Sequence, residues 1–146
     1  MIAFMNSLNF LDTNVWLALV WSRHSHSEAA RDWFDQSEDE QFLFCRFTQL
    51  ALLRLLTNKS VMGKDVKTTA AAWEIYDQCC ADERIAFLAE PQGIDPKLRT
   101  FARSHEASPK LWADAYLAAF ASAAGLRVVT FDRAFRSRPV ECLVLE

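Results

Sequence analysis

Three aspartates, Asp12, Asp114 and Asp132, stand where grouped charge could do chemistry. Asp12 closes the apolar run 8–11, and Asp132 lies just past Thr130, where the run 126–130 ends. In an open parallel sheet, ligands gather beyond the carboxyl ends of the strands, so both acids fall on the edge where a site is built. Asp114 sits inside a helical segment, with Leu111, Leu117 and Ala118 as its i−3, i+3 and i+4 neighbours. That spacing turns its carboxylate toward the interior. A carboxylate on an inward stripe is costly unless a proton, hydrogen bonds or a metal neutralises it. Three of them converging on one edge would also repel one another. A divalent cation, which prefers oxygen ligands, answers both problems. Thr13 and Asn14 are placed to orient the first carboxylate, and Thr130 to position the metal's water or Asp132. Asp12 or Asp132 alone could be a turn or cap residue. Capping does not explain Asp114 in mid-helix, and the set of three favours a metal cradle.

The elements that must hold these residues follow from apolar periodicity. Residues 8–11 form a short buried strand, and Asp12, Thr13 and Asn14 are three cap-capable residues ahead of a helix over 15–21. From Glu28 onward, Ala29, Ala30, Trp33 and Phe34 recur at helical spacing, with both aromatics facing inward. Residues 42–45 are a second strand. The helix 48–57 carries Gln49, Leu52, Leu53 and Leu56 on one stripe, and the helix 65–80 carries Val66, Ala70, Trp73 and Tyr76. A third strand at 85–88, a helix over 94–103, and a helix over 110–124 between Pro109 and Gly125 follow. Strands at 126–130 and 140–145 complete the set. Short apolar strands separated by helices predict an α/β chain with a mostly parallel sheet of about five strands, covered on both faces. No repeat or low-complexity linker interrupts it, so residues 1–146 are expected to form a single domain.

Composition narrows the function classes. A chain of 146 residues, 51% hydrophobic and 24% charged, has the make-up of a globular domain with a sizeable core. The apolar runs at 42–44 and 128–129 are far too short to cross a bilayer, and no basic region precedes a signal-like stretch. No membrane association and a cytoplasmic location are therefore expected. The three glycines, at 63, 93 and 125, are scattered, which removes the glycine-rich phosphate loops. Cysteines 45, 79, 80 and 142 lack C-x-x-C spacing and read as free thiols rather than a zinc site. His24, His26 and His105 lie in polar stretches and read as solvated surface. The net charge of −3 does not suit bulk attraction to nucleic acid. The charge is uneven, however. Residues 23–41 hold six acids and two arginines, whereas 126–138 hold Arg127, Arg133, Arg136 and Arg138 against Asp132, a candidate basic rim.

The ordered strings Leu11-Asp12-Thr13-Asn14-Val15, Phe44-Cys45-Arg46-Phe47-Thr48-Gln49, Trp112-Ala113-Asp114-Ala115-Tyr116 and Val129-Thr130-Phe131-Asp132-Arg133 resemble the PIN-domain family, in particular its VapC-type toxins. Together they span nearly the whole chain. The resemblance implies a three-layer α/β/α domain whose central sheet presents an acidic pocket that binds Mg²⁺ or Mn²⁺ and cuts RNA. The family's aspartates fall on Asp12, Asp114 and Asp132, its threonine before the last acid on Thr130, and its asparagine after the first on Asn14. Many relatives carry a glutamate where this chain has Gln49, though a branch of VapC-like proteins resembles this chain in having Thr-Gln. A glutamine oxygen can coordinate a hard cation but brings no charge. The resemblance further implies a homodimer silenced by a cognate antitoxin whose C-terminal segment covers the pocket.

The expected chemistry is metal-assisted hydrolysis of an RNA phosphodiester, as in the toxin of a toxin–antitoxin pair acting on tRNA or rRNA. Arg133 and Arg136 are candidates for contacting flanking phosphates. Trp16, Trp21, Trp33 and Phe34 make the first helices aromatic enough to supply an interface. Two other classes remain open. A Mg²⁺-dependent small-molecule phosphohydrolase using an Asp-x-Asp nucleophile would need an acid at position 14, which is Asn14. A catalytically impaired binding module finds its argument in Gln49.

Overall fold

The computed structural model describes residues 8–146. Alternate residues of a strand face opposite sides of its sheet, and here both sides are apolar. In β1 (Leu8–Leu11), Phe10 enters one core and Leu11 the other. In β2 (Gln41–Phe44), Leu43 sides with Phe10, while Phe42 and Phe44 side with Leu11. With β3 (Ile85–Phe87), β4 (Arg127–Thr130) and β5 (Cys142–Val144) these strands form one sheet in the order β3-β2-β1-β4-β5. A sheet buried on both faces is characteristically parallel, and all four pairings are parallel. The expected five-stranded α/β architecture is therefore what forms, with the sheet parallel throughout.

Helices α1 (Thr13–Val20), α2 (Ser27–Gln36), α3 (Arg46–Leu56), α4 (Lys59–Met62) and α5 (Thr69–Cys80) supply the core on the Leu11 face. Helices α6 (Ile94–Phe101) and α7 (Leu111–Ala124) supply the core on the Phe10 face. Trp16 stacks on Phe44 with ring centroids 3.7 Å apart in the first core, and Phe10 stacks on Phe120 at 4.6 Å in the second. Gly125 ends α7 in the left-handed conformation, φ 70°, where a side chain would be strained. Among the described residues no helix is long and apolar enough to cross a membrane.

Helix boundaries depart from the periodic reading for local reasons. The first helix starts at Thr13 because Asp12 alone caps it, accepting from the Thr13 N–H at 2.8 Å. The helix predicted from 48 starts at Arg46, since Thr48 caps from inside it, accepting from the Cys45 N–H at 3.0 Å. The helix predicted over 65–80 starts only at Thr69, capped by Thr68, and Asn58 caps the separate turn of α4.

Two expectations about side chains are overturned. Trp16 is fully buried and so supplies no interface, while Trp21, Trp33 and Phe34 are partly buried and pack against the same core. Arg127 is buried and leaves the basic rim: it donates to Asn9 Oδ1 at 2.6 and 3.0 Å and to Glu40 Oε1 at 2.8 Å, near the amino ends of β1 and β2. Because Trp16 fills the centre of its core, Trp16→Ala should lower unfolding free energy by about 3–5 kcal/mol. Urea titration measures this, and a loss below about 1 kcal/mol would show that Trp16 is not the keystone described.

Candidate active site

Pairing of β1 with β4 sets Leu11 opposite Val129, so the carboxyl ends of the two central strands lie side by side. The Asp12 N–H donates to Val129 O at 2.9 Å, holding the first acid against the neighbouring strand. Its carboxylate is then fixed at both oxygens: Oδ1 accepts from the Thr13 N–H, and Oδ2 accepts from Thr130 Oγ1 at 2.8 Å. Thr130 is fully buried, and its hydroxyl oxygen accepts from the Asp132 N–H at 3.0 Å. One hydroxyl thus ties the first acid to the main chain of the last. Asp132 is itself exposed and caps the short turn Arg133–Ser137, accepting from the Ala134 N–H at 2.9 Å. Asp114 comes from the first turn of α7 and is half-buried.

The three acids feel one another. Burial raises the Asp12 carboxyl above its ordinary value, and the charges of Asp114 and Asp132 raise it further, while Thr130 and Thr13 pull it back. Burial also raises Asp114, with Asp132 acting in the same direction and Arg138 against it. Carboxyls held up by desolvation and like charge are the electrostatic mark of a site waiting for positive charge. Among the described residues no group of three His, Cys, Asp or Glu side chains is gathered tightly enough to hold an ion as it stands. The aspartates share a field rather than an already closed ligand sphere.

The other expected residues divide. Thr13 is buried beside Asp12, and Asn14 is exposed. Gln49 is buried, and its amide oxygen accepts from Arg46 Nη1 at 2.5 Å, which leaves that oxygen one lone pair. Its side chain also interacts with the Tyr76 hydroxyl. Arg133 and Arg136 both turn to Glu146, at 3.9 and 3.4 Å, and remain well exposed. Arg138, which sequence reasoning counted only in a basic run, is the cation that faces Asp114. Only the path of the chain after the turn Arg133–Ser137 brings it there, so spacing carried no signal for it. His24 and His26 are not simply solvated: His26 stacks on Phe131 at 4.4 Å, between Thr130 and Asp132 in the chain, and burial lowers the His24 imidazole.

Comparison with known proteins agrees with the fold. The family model described as PIN domain matches residues 10–140. Ribonuclease VapC41 of Mycobacterium tuberculosis is 46% identical over 129 residues, covering 85% of this chain and 88% of the relative. Among solved structures, VapBC2 from Rickettsia felis bound to a promoter DNA fragment has the same fold, with a TM-score of 0.70 at 11% identity over 94% of this chain and 98% of that one. The Mycobacterium tuberculosis sarcin-ricin loop cleaving toxin VapC20 shares it too, with a TM-score of 0.64 at 18% identity over 90% of this chain and 95% of that one.

The raised Asp12 carboxyl has a consequence for stability. Below the ordinary carboxyl value of 3.8 the acid is protonated whether folded or unfolded, and it contributes no pH dependence. As pH rises from there through the raised folded value, the unfolded chain releases its proton first, so the metal-free fold loses stability. Asp12→Asn keeps an acceptor for the Thr13 N–H and carries no charge. Urea unfolding of the metal-free protein across this window should show stability that falls less, or rises more, with pH for Asp12→Asn than for wild type. Equal slopes would mean that the Asp12 charge is not under strain.

Proposed function

The chain belongs to the PIN-domain family, and from that premise we propose that it is a divalent-metal-dependent endoribonuclease, the toxin of a toxin–antitoxin pair. The observation that carries this reading is the Asp12–Thr130–Asp132 connection at the carboxyl edge, with Asp114 within its electrostatic reach. The donor set fits Mg²⁺ or Mn²⁺, because every candidate ligand is a hard carboxylate oxygen. Asp12, Asp114 and Asp132 would hold the ion. Once bound, the ion would acidify a water and neutralise charge on the reacting phosphate. The chain's own work is positional. The Thr13 N–H and the Thr130 hydroxyl hold Asp12 in one rotamer, so its remaining lone pairs point in a set direction. Asp132 is carried on a capped turn, and Arg138 moderates the charge at Asp114. Hydrolysis by water needs no ribose 2′-OH and leaves a 5′-phosphate. Gln49 contributes no charge, so the pocket works with three formal negatives.

The 46% identity to a ribonuclease supports the nuclease reading over a small-molecule phosphohydrolase. A structured RNA, tRNA or rRNA, is the substrate class we assign. A cognate antitoxin and a second copy of this chain are the proposed protein partners. Light scattering that gives only monomer at micromolar concentration would argue against the dimer, and a co-encoded antitoxin that neither binds nor inhibits would argue against the pairing.

End-mapping of total RNA after controlled expression tests the reaction. Wild type should produce new 5′-phosphate ends, and Asp12→Asn should produce none. Identical cleavage by both proteins, or products with 2′,3′-cyclic phosphates, would overturn the mechanism. Thr130→Val keeps the shape of the side chain and removes the hydroxyl bridge. It should reduce metal affinity or turnover about 10–100-fold, the usual cost of losing a residue that orients a metal ligand. Calorimetric titration with Mn²⁺ reads the affinity directly, and unchanged binding would remove Thr130 from the site.

A further inference from the structure

Beyond the acids, the same carboxyl edge carries a surface that the proposed hydrolysis does not use. The chain leaves β2 through Arg46 and Phe47, and leaves β3 just after Phe87. Phe47 is 39% exposed, Phe87 41% and Trp112 65%, whereas Trp16 of α1 sits in the core. The Arg46 guanidinium lies over the Phe87 ring, 4.9 Å from its centroid, and Gln49 holds it there. Phe47 meets Tyr116 at 5.3 Å, and the Tyr116 hydroxyl donates to Glu90 at 2.8 Å. Trp112 precedes Tyr116 by four residues on α7, which places both on one face of the helix. Arg46, Phe47, Phe87, Glu90 and Tyr116 line a groove of about 550 Å³, and Trp112 stands one helical turn before Tyr116, beside it.

Rings open to solvent, with a cation fixed over one of them, match the way unpaired nucleotides are held: bases stack on aromatic faces while a guanidinium meets base or phosphate. Neighbouring strands lie about 4.8 Å apart, so β3 is about 10 Å from β1 and Asp12, a short step along a single RNA strand. Charge favours the same occupant. A chain of net charge −3 with an acidic pocket gains little RNA affinity from bulk attraction. Stacking supplies affinity that does not depend on sign; Arg46 brings positive charge to the groove, and its one carboxylate, Glu90, is engaged by the Tyr116 hydroxyl. The exposed Leu50 borders this groove and also a second depression that runs along α3 and α5 past Leu53, Arg54 and Thr57 to Trp73, where no arginine is stacked on a ring.

We propose that Arg46, Phe47, Phe87 and Trp112 form a stacking subsite for unpaired nucleobases of the RNA, beside the phosphate that is cut. The subsite rests on the ribonuclease reading and gives it a preference: the cut falls next to bases that are splayed out of a helix. All four side chains are exposed at the surface, so truncating them leaves the cores intact.

The test uses the full-length protein carrying Asp12→Asn, which prevents cutting, and a fluorescein-labelled single-stranded oligoribonucleotide read by anisotropy. Phe87→Ala and Trp112→Ala should each weaken binding about 5- to 150-fold, and Trp112→Phe should retain most of it. Abasic substitutions along the probe should weaken binding to the protein with an intact subsite and have little effect once Trp112 is Ala. Arg46→Ala should lower the salt dependence by about one phosphate contact, whereas the aromatic changes leave it alone. Affinity that is equal across these variants, or abasic penalties unchanged by them, would overturn the subsite. A change of oligomeric state with RNA affinity intact would overturn it too, by giving the surface to a second copy. The two readings fail separately. Asp12-dependent cutting that is indifferent to these variants removes the subsite alone, whereas absence of any RNA cutting removes the nuclease.

Discussion

Thr130 has one proton to give, and it gives it to Asp12 while its oxygen receives the main chain of Asp132. The arrangement exists because β1 and β4, distant in the chain, are adjacent and parallel at the centre of the sheet. It locks the orientation of a carboxylate that burial and two like charges push toward the neutral form. Everything around it keeps that carboxylate in place. The Thr13 N–H takes the other oxygen as α1 begins, and the N–H of Asp12 itself bonds across to Val129. A group so confined keeps its direction when its charge is finally neutralised, which is what a ligand must do.

The same edge shows how stability and reactivity are divided between neighbouring residues. Side chains just below it, Leu11, Phe44 and Val129, are fully buried and belong to one continuous core. One residue further along the two central strands the chain turns polar: Asp12 after Leu11, Thr130 after Val129. The cores tolerate the electrostatic strain above them because aromatic stacking, Trp16 on Phe44 and Phe10 on Phe120, anchors the central strands from both faces. Buried charge is handled differently at the opposite edge. There Arg127 is matched by Asn9 and Glu40 and its charge is satisfied internally, as a structural ion must be. The contrast separates the two ends of one sheet, the satisfied end and the end left for a ligand.

Much of this was legible in the sequence, for definite reasons. Short apolar runs separated by helical segments mark strands covered on both faces, so the parallel sheet and its helical covering could be read from apolar patterning alone. Asp12 and Asp132 were legible because the first directly follows an apolar strand and the second follows one with a single residue between. Asp114 was legible because its i−3, i+3 and i+4 neighbours are apolar. Helix starts were less legible. At α1, α3 and α5 a single side chain decides the first turn, and several cap-capable residues compete in each string.

What only the tertiary structure decided is where long-range partners lie. Periodicity gave the aromatics of α1 and α2 an inner face but could not say whether that face meets the protein's own sheet or another chain; the packing of Trp16 on Phe44 answers it. Composition placed Arg127 in a basic rim, and the pairing of β1 with β4 puts it beneath the surface beside Asn9. Gln49 read as a possible ligand, and the start of α3 at Arg46 brings a guanidinium to its oxygen, a partner that spacing did not announce. The Phe47, Phe87 and Trp112 surface belongs to three elements whose proximity no local pattern encodes. Residue types and spacing determined the sheet, its two cores and the acids on its edge, because those depend on neighbours a few positions away. The partner of each charge, and the company each exposed ring keeps, depend on strand order and helix packing, which are settled only when the whole chain has closed.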